Sequence, residues 1–196
     1  PCGKNIILIV ASGNPLNIFS VNKFIKEIWP KIQKRIPDAR LRIAGPICKV
    51  LLCGVHAGVE LVGYVENIAD EYSNALVVVN PVVAGTGLKI KSLEALAYGK
   101  ALLSTPAGVE GLPQRDGELF LIAHEPADFI SGIEKLIKNK QLQETLENNA
   151  RLYSLYDLNH NKVYRELSNM LQDHFFDKDK TQESYFHGMA QQHIAD

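Results

Sequence analysis

The chain has 196 residues, of which 46% are hydrophobic, and its 21 basic side chains nearly balance 22 acidic ones. This composition suits one folded domain with a sizeable core, or at most two small ones, and excludes a disordered or fibrous protein. The formal charge of -1 provides no field that would attract nucleic acid, so nucleic acid is not an expected partner. Three cysteines, Cys2, Cys48 and Cys53, predict neither a disulfide framework nor a zinc site, which favours a reducing compartment.

The sequence contains no recognisable targeting or membrane-spanning segment. The longest apolar runs, residues 6–11 and 75–79, are far shorter than the roughly 20 residues that cross a bilayer. No basic stretch precedes an apolar one as in a signal peptide. We therefore expect a cytoplasmic protein that meets a membrane surface only through the rest of its parent. The first residue is Pro1 and a strand-like run begins by Ile6, which predicts a piece of a longer polypeptide.

Short runs of aliphatic and β-branched residues alternate with amphipathic patterns along the chain. The predicted strands are Asn5–Ala11, Arg40–Ala44, Val59–Val62, Leu76–Pro81, Ala101–Ser104 and Glu118–Ala123. The predicted helices are Ser20–Ile36, Asn67–Asn74, Leu88–Tyr98, Pro126–Lys138, Lys140–Tyr153 and Asn159–Leu171. Within the first helix, Ser20 is the predicted N-cap and Pro30 predicts a kink.

The order of these elements predicts the fold class and the domain boundary. We expect an α/β fold, a Rossmann-like and doubly wound sheet of about six mostly parallel strands with helices on both faces. This domain takes residues 1–172, because residues 173–196 lack comparable periodicity and are predicted to form a C-terminal extension or linker. Ligands of such sheets bind at the carboxyl ends of the strands, so a site is expected in the loops that follow them.

The richest of these loops follows the fourth predicted strand. The loop and the first turns of the next helix contain Gly85, Thr86, Gly87, Leu88, Lys89 and Lys91. Glycine lets the backbone approach an anion closely, and a helix N-terminus supplies unpaired N–H groups and about half a positive charge. The pattern therefore predicts a phosphate site. A tight turn beside two solvated lysines is the alternative.

Glu94 extends this prediction along the same helix. It lies about 9 Å along the helix axis from Leu88, which is close to the distance from a diphosphate to its ribose. A carboxylate accepts hydrogen bonds well from two neighbouring hydroxyls. A nucleoside diphosphate would therefore place its phosphates at the helix start and its ribose at Glu94. The alternative is a simple ion pair between Lys91 and Glu94, three residues apart on the helix.

Weaker signals follow the other strands. Ser12 and Gly13 end the first strand without a G-x-G-x-x-G motif, which argues against a dinucleotide cofactor. Gly45 follows the second strand, and Tyr64 and Val65 follow the third, where they would hold a flat base; turn formation explains these glycine-containing loops equally well. No G-x-S-x-G nucleophile is present, so chemistry is expected to come from placing substrates and stabilising a departing phosphate.

Two stretches of the sequence resemble the donor-site signature of glycosyltransferase family 4. They are residues 85–100, GTGLKIKSLEALAYGK, and residues 104–112, STPAGVEGL. Trp29-Pro30 and Gly63-Tyr64-Val65 fit the same family in order and spacing, so the likeness covers about residues 5–171. The resemblance implies the C-terminal half of a GT-B fold, which binds the nucleotide-sugar donor. It also implies an N-terminal half that binds the acceptor, and transfer with retention at the anomeric carbon.

The resemblance assigns roles to individual residues. Glu94 matches the second Glu of the family's E-x7-E motif, which holds the ribose hydroxyls, and Gly87 and Leu88 fall where backbone amides meet the terminal phosphate. The first Glu is missing, since Thr86 or Ala84 occupies its place. The Arg and Lys that clamp the diphosphate from the loop after the first strand are missing as well, so the lysines at the helix start are expected to neutralise it.

These observations favour the nucleotide-sugar-binding domain of a retaining hexosyltransferase. We expect a nucleoside diphosphate sugar as the donor substrate and no cofactor or metal, because no carboxylate pair is placed to hold Mg²⁺. The expected partner is an N-terminal acceptor-binding domain in the same parent chain, without which this fragment binds but does not transfer. A sugar-nucleotide epimerase of the same architecture and a binding module without catalytic activity stay open, and product analysis with the parent separates the three.

Overall fold

Six short strands form one parallel sheet in the computed structural model, which describes residues 5–51, 56–159, 162, 164, 165 and 168–171. In chain order they are β1 Ile6–Val10, β2 Arg40–Ala44, β3 Val59–Gly63, β4 Val77–Asn80, β5 Leu102–Ser104 and β6 Leu121–Ile122. Their spatial order is β3-β2-β1-β4-β5-β6, and every neighbouring pair is parallel. The sheet confirms the predicted Rossmann-like α/β fold.

Helices connect the strands of this sheet. In the described part of the chain they are α1 Pro15–Lys23, α2 Trp29–Arg35, α3 Ile68–Asn74, α4 Ile90–Ala97, α5 Pro126–Lys138 and α6 Lys140–Tyr156. A π-helical segment, Phe24–Ile28, joins α1 to α2, and 3-10 turns lie at Pro46–Lys49 and Ala107–Val109. The chain divides after Ser154 into a first unit, which contains all six strands, and a second, C-terminal unit.

The central strand β1 is buried on both faces. Ile7, Leu8 and Ile9 expose at most 1% of their surface, which explains why this strand is apolar throughout. β1 pairs with β2 over five residue pairs. It pairs with β4 over only two, Ile7 with Val77 and Leu8 with Val78. The junction between the two halves of the sheet is therefore short.

The first helix begins earlier than predicted, and the assignment of Ser20 as its N-cap is wrong. α1 starts at Pro15, and the side chain of Asn14 caps it by accepting a hydrogen bond of 2.9 Å from the backbone N–H of Asn17. An Asn cap followed by Pro at the first helical position is a strong start signal, and it prevails over the apolar spacing that pointed to Ser20. At Pro30 the helix type changes: a π-helical segment precedes it, and Pro30 lies in the first turn of α2, where no N–H is required.

Other element boundaries differ by a few residues. β6 contains only Leu121–Ile122, although the apolar pattern predicted residues 118–123. α4 begins at Ile90, two residues later than predicted, because Lys89 has φ -86° and ψ 87° and is not helical. Gly99, with φ 64°, follows the C-cap residue of α4 as predicted.

The C-terminal part of the chain is described only in pieces. Of the predicted helix over residues 159–171, residues 162, 165 and 168–171 are helical, and the predicted extension at 173–196 lies outside the described residues. No helix in the described part is long and apolar enough to cross a membrane. The same residues contain no group of three or more His, Cys, Asp or Glu placed to hold a metal ion.

Candidate functional site

The sheet has a topological switch point between β1 and β4. The chain leaves β1 toward β2 on one side and leaves β4 toward β5 on the other, so the loops after β1 and β4 diverge and open a crevice. A cleft of about 310 Å³ lies there. One wall is the end of β1 with the first turns of α1, and the other is the loop from Asn80 to the start of α4.

Half of the predicted site residues line this cleft. They are Ser12, Gly85, Thr86, Leu88, Lys89 and Lys91. The other six lie outside its lining: Gly13, Gly45, Tyr64, Val65, Gly87 and Glu94. The structure therefore brings together the glycine-containing loop, the two lysines and the end of β1. It places the predicted ribose and base residues beyond the cleft itself.

The loop before α4 has a backbone that only glycine adopts readily. Gly85 has φ 138° and Gly87 has φ 75°. The first hydrogen bond of α4 runs from the N–H of Leu93 to the carbonyl of Lys89 at 3.0 Å. The N–H groups of the preceding turn therefore lack partners within the helix and are available to an anion.

Lys89 folds back over this loop. Its Nζ donates to the carbonyl of Gly87 at 2.9 Å and lies 3.1 Å from Oε2 of Glu110. The Lys89 side chain is only 11% exposed, whereas that of Glu110 is 53% exposed. Lys89 thus lies where the sequence predicted a cation, but its charge is shared with a carboxylate that the sequence did not indicate.

Lys91 and Glu94 form the ion pair that the sequence left as an alternative. Their Nζ and Oε2 atoms are 2.7 Å apart, and the Glu94 side chain is 24% exposed, so it lies at the edge of the core rather than inside it. The Tyr72 hydroxyl is buried and has no hydrogen-bond partner of regular geometry among the described residues. Burial raises the pKa of Tyr72, and the negative charge of nearby Glu94 raises that pKa further. The Tyr72 ring stacks on Tyr98 with centroids 4.5 Å apart.

A polar cluster that sequence analysis missed fixes the start of α4. Asn80 ends β4, and its Nδ2 donates to Oγ of Ser92 at 2.9 Å and to the carbonyl of Gly108 at 3.3 Å. Ser92 is fully buried, and its Oγ donates to the same carbonyl at 2.5 Å. A polar residue directly after an apolar strand was the available signal for Asn80. The partner at Gly108 is distant in sequence and was not foreseeable.

The loop after β5 completes this attachment. Ser104 is fully buried, and its Oγ donates to the carbonyl of Asn80 at 3.1 Å. The hydroxyl of Thr105 donates to the carbonyl of Val82 and accepts from the N–H of Gly108 at 2.9 Å. The loop after β4, the loop after β5 and the start of α4 are therefore held together by hydrogen bonds that water does not reach easily.

Ser20 connects the two walls of the cleft. Its Oγ donates to the carbonyl of Leu16 at 2.7 Å and accepts from the N–H of Val83 at 3.2 Å. On the same wall, Oγ of Ser12 accepts from Nδ2 of Asn17 at 3.0 Å. Among the described residues that line the cleft, only the two lysines carry a formal charge. Each of these lysines is paired with a carboxylate outside the lining, Lys89 with Glu110 and Lys91 with Glu94.

The residues predicted to hold a base lie at the same edge of the sheet. Gly45 has φ 107°, and a Cβ there would lie 2.5 Å from the carbonyl oxygen of Ala11, so close approach of the chain after β2 requires glycine. Tyr64 is 80% exposed. Contact of Tyr64 and Val65 with a base stays a prediction.

The architecture defines a class of protein. A six-stranded parallel sheet with this order and surrounding helices matches the Rossmann-like domains of GT-B glycosyltransferases. Residues 4–139 match the family described as glycosyl transferases group 1, and the chain belongs to that family. The matched residues include both walls of the cleft.

One curated relative is an uncharacterized 44.6 kDa protein in the cps region of Klebsiella pneumoniae. It is 22% identical over 173 residues, which make up 83% of this chain and 45% of that protein. The chain therefore spans less than half the length of this relative.

Solved structures share the fold at low sequence identity. TarM of S. aureus matches with a TM-score of 0.70 at 16% identity, over 85% of this chain and 34% of TarM. HepE of Anabaena, solved with UDP and glucose, matches with a TM-score of 0.69 at 15% identity, over 85% of this chain and 48% of HepE. The C-terminal domain of LpcC from Francisella tularensis matches with a TM-score of 0.59 at 20% identity, over 79% of this chain and 86% of that domain.

Proposed function

We propose that this chain is the donor-binding, C-terminal domain of a retaining glycosyltransferase of family 4 that transfers a hexose from a nucleoside diphosphate sugar. The observation that carries the proposal is the cleft at the switch point, whose only charged lining residues among those described are two lysines beside a glycine-containing helix start. Lys89 and the first turn of α4 bind the diphosphate, Glu94 holds the ribose, and Gly45, Tyr64 and Val65 hold the base.

Two comparisons support this proposal. HepE, which shares the fold, has been crystallised with UDP and with UDP-glucose. The chain covers most of a LpcC domain that is described as C-terminal. A longer parent would then supply the acceptor-binding N-terminal domain, and the sugar nucleotide would be the substrate without a further cofactor.

The chemistry assigned to this half is binding, orientation and charge stabilisation. The bond from the anomeric carbon to the phosphate oxygen breaks, and a bond from that carbon to the acceptor oxygen forms on the same face of the sugar. The proton of the acceptor hydroxyl passes to an oxygen of the departing diphosphate. Negative charge grows on the departing diphosphate, where Lys89 and the amides of α4 stabilise it.

A second candidate is a nucleotide-sugar-binding module without catalytic activity. It is favoured by the residues at the place of the family's first Glu, since Ala84 and Thr86 both line the cleft and neither carries a carboxylate. Product analysis with the full-length parent distinguishes the two candidates, because only the enzyme forms a glycosylated acceptor. The appearance of an altered sugar nucleotide instead would indicate an epimerase.

Binding is tested by calorimetric titration of the chain with UDP, GDP, ADP and CMP. We expect one diphosphate to bind, and Lys89→Ala to weaken it by about 1.5 to 3 kcal/mol, the scale of a charge-assisted contact. Lys140→Ala is the matched control, because Lys140 also pairs with a glutamate but is 84% exposed on α6. Absence of binding at millimolar concentration, or equal affinity of both variants, contradicts the site.

The ribose contact has its own test. Glu94→Gln should weaken the bound ribonucleotide but leave the affinity for its 2′,3′-dideoxy analogue nearly unchanged, because the analogue lacks the hydroxyls that the carboxylate accepts from. If both ligands weaken equally, Glu94 acts on the structure of α4 and not on the ribose.

A further inference from the structure

Glu110 is the one carboxylate in contact with Lys89 among the described ion pairs. It directly follows the 3-10 turn Ala107–Val109 in the loop after β5, and its Oε2 lies 3.1 Å from Nζ of Lys89. The proposed binding of phosphate by Lys89 does not use this carboxylate, and the resemblance to family 4 includes Glu110 in residues 104–112 without giving it a role.

Packing on both sides holds Glu110 at the start of α4. Before it, the carbonyl of Gly108 accepts the 2.5 Å hydrogen bond from buried Ser92. After it, Gly111 has φ 85°, and a Cβ there would lie 3.2 Å from Cα of Leu88. The backbone around Glu110 is thus in contact with the glycine-containing loop, and from this position its carboxylate reaches Lys89.

The ion pair leaves room for a ligand. The described contacts of Lys89 use two of the three ammonium hydrogens, one for Gly87 and one for Glu110. A phosphate that takes the third hydrogen shares the ammonium with Glu110. Two anions bound to one ammonium lie within about 6 Å of each other. At that distance in water, the repulsion between two unit negative charges raises the dissociation constant of the ligand about threefold.

We propose that Glu110 is a specificity-determining residue that weakens the binding of the more highly charged nucleoside diphosphate relative to its sugar conjugate. The inference rests on the proposed function. The diphosphate of a sugar nucleotide carries two negative charges, whereas a free nucleoside diphosphate carries about three at pH 7.5, because its terminal phosphate has a second pKa of about 6. Glu110 therefore repels the product of transfer more than the donor and favours product release.

The test is Glu110→Gln, which keeps an oxygen that accepts from Lys89 and removes the charge. Dissociation constants are measured for three pairs of probes: UDP with UDP-glucose, GDP with GDP-mannose, and ADP with ADP-glucose. For the pair that binds, we expect Glu110→Gln to lower the dissociation constant of both ligands. The decrease for the diphosphate should be about threefold larger than the decrease for the sugar conjugate. In about 0.5 M NaCl this difference should shrink, because salt screens exposed charges.

Glu144→Gln is the matched control for the loss of one negative charge. Glu144 is 57% exposed and lies 3.3 Å from Nζ of Lys140, far along the chain from the cleft. A purely structural role of Glu110 would weaken both ligands alike and leave their ratio unchanged. An unchanged or inverted ratio in Glu110→Gln overturns the inference. If no pair binds the unmodified chain, the proposed function itself fails, so the two failures are distinguishable.

Discussion

Gly108 should tolerate no side chain, because it packs against the polar cluster that fixes the start of α4. In Gly108→Ala, the new Cβ would lie 2.2 Å from Oγ of Ser104 and 3.1 Å from the carbonyl oxygen of Asn80. Ser104 is fully buried, so its hydroxyl would have to turn away and lose its 3.1 Å hydrogen bond to that carbonyl.

The expected loss combines two contributions. Overpacking of a dense interior costs about 1 to 3 kcal/mol, and a lost buried hydrogen bond costs about 1 kcal/mol. A total near 3 kcal/mol corresponds to a fall in Tm of roughly 6 to 12 °C for a chain of this size. The start of α4 should move with the cluster, so diphosphate affinity should fall as well.

Equilibrium unfolding in urea of four proteins tests the cause: the parent, Gly108→Ala, Ser104→Ala and the double variant. Removing the Ser104 hydroxyl removes the closest contact and leaves the carbonyl oxygen of Asn80 at 3.1 Å, so Gly108→Ala should destabilise the Ser104→Ala protein less than it destabilises the parent. Gly13→Ala is the control, because Gly13 is not among the glycines of positive φ and its Cβ would approach no atom more closely than Cγ2 of the exposed Val50 side chain, at 3.3 Å. A stable Gly108→Ala protein, or strict additivity in the double variant, refutes the reasoning.

Three further outcomes follow from contacts described above. Gly45→Ala should destabilise the chain by about 2 kcal/mol or more in thermal unfolding, because of its positive φ and the 2.5 Å approach to the carbonyl of Ala11; a neutral effect would contradict that approach. Ser20→Ala should cost about 1 kcal/mol in urea unfolding, because the N–H of Val83 loses its acceptor; unchanged stability would indicate that water replaces it. Folding raises the pKa of Tyr72 above 10.0, so above about pH 10 the folded chain keeps a proton that the unfolded chain releases. The free energy of unfolding should therefore fall above about pH 10, and it should fall less in Tyr72→Phe. An identical dependence of this free energy on pH in the two proteins would count against burial of the hydroxyl.

The fold could be predicted because strands and helices are indicated by patterns among residues that lie close together in the sequence. Continuous apolar runs marked the buried strands, and α5 was predicted with its observed bounds because Pro126 opens it. The structure adds a capping box between Glu125 and Asp128. The first helix was misplaced because its start signal, Asn14 with Pro15, competes with apolar spacing further along. Local patterns thus predicted which elements form better than they predicted where each element ends.

The site was predicted only as far as its contacts are close in sequence. The Lys91–Glu94 pair follows from helical spacing and was foreseen as an alternative. The Lys89–Glu110 pair joins residues on two different loops. No periodicity connects such residues, because only the parallel pairing of β4 with β5 brings the two loops together.

The two-residue junction of β1 with β4 gives the cleft a mechanical property. Its walls belong to opposite halves of the sheet, and the described hydrogen bond from Val83 to Ser20 is the main polar link between them above that junction. A nucleotide in contact with both walls would hold the two halves of the sheet together across this short junction. We expect the amide hydrogens of Ile7 and Val77 to exchange more slowly when the nucleotide is added, because local opening of the β1–β4 junction becomes less frequent.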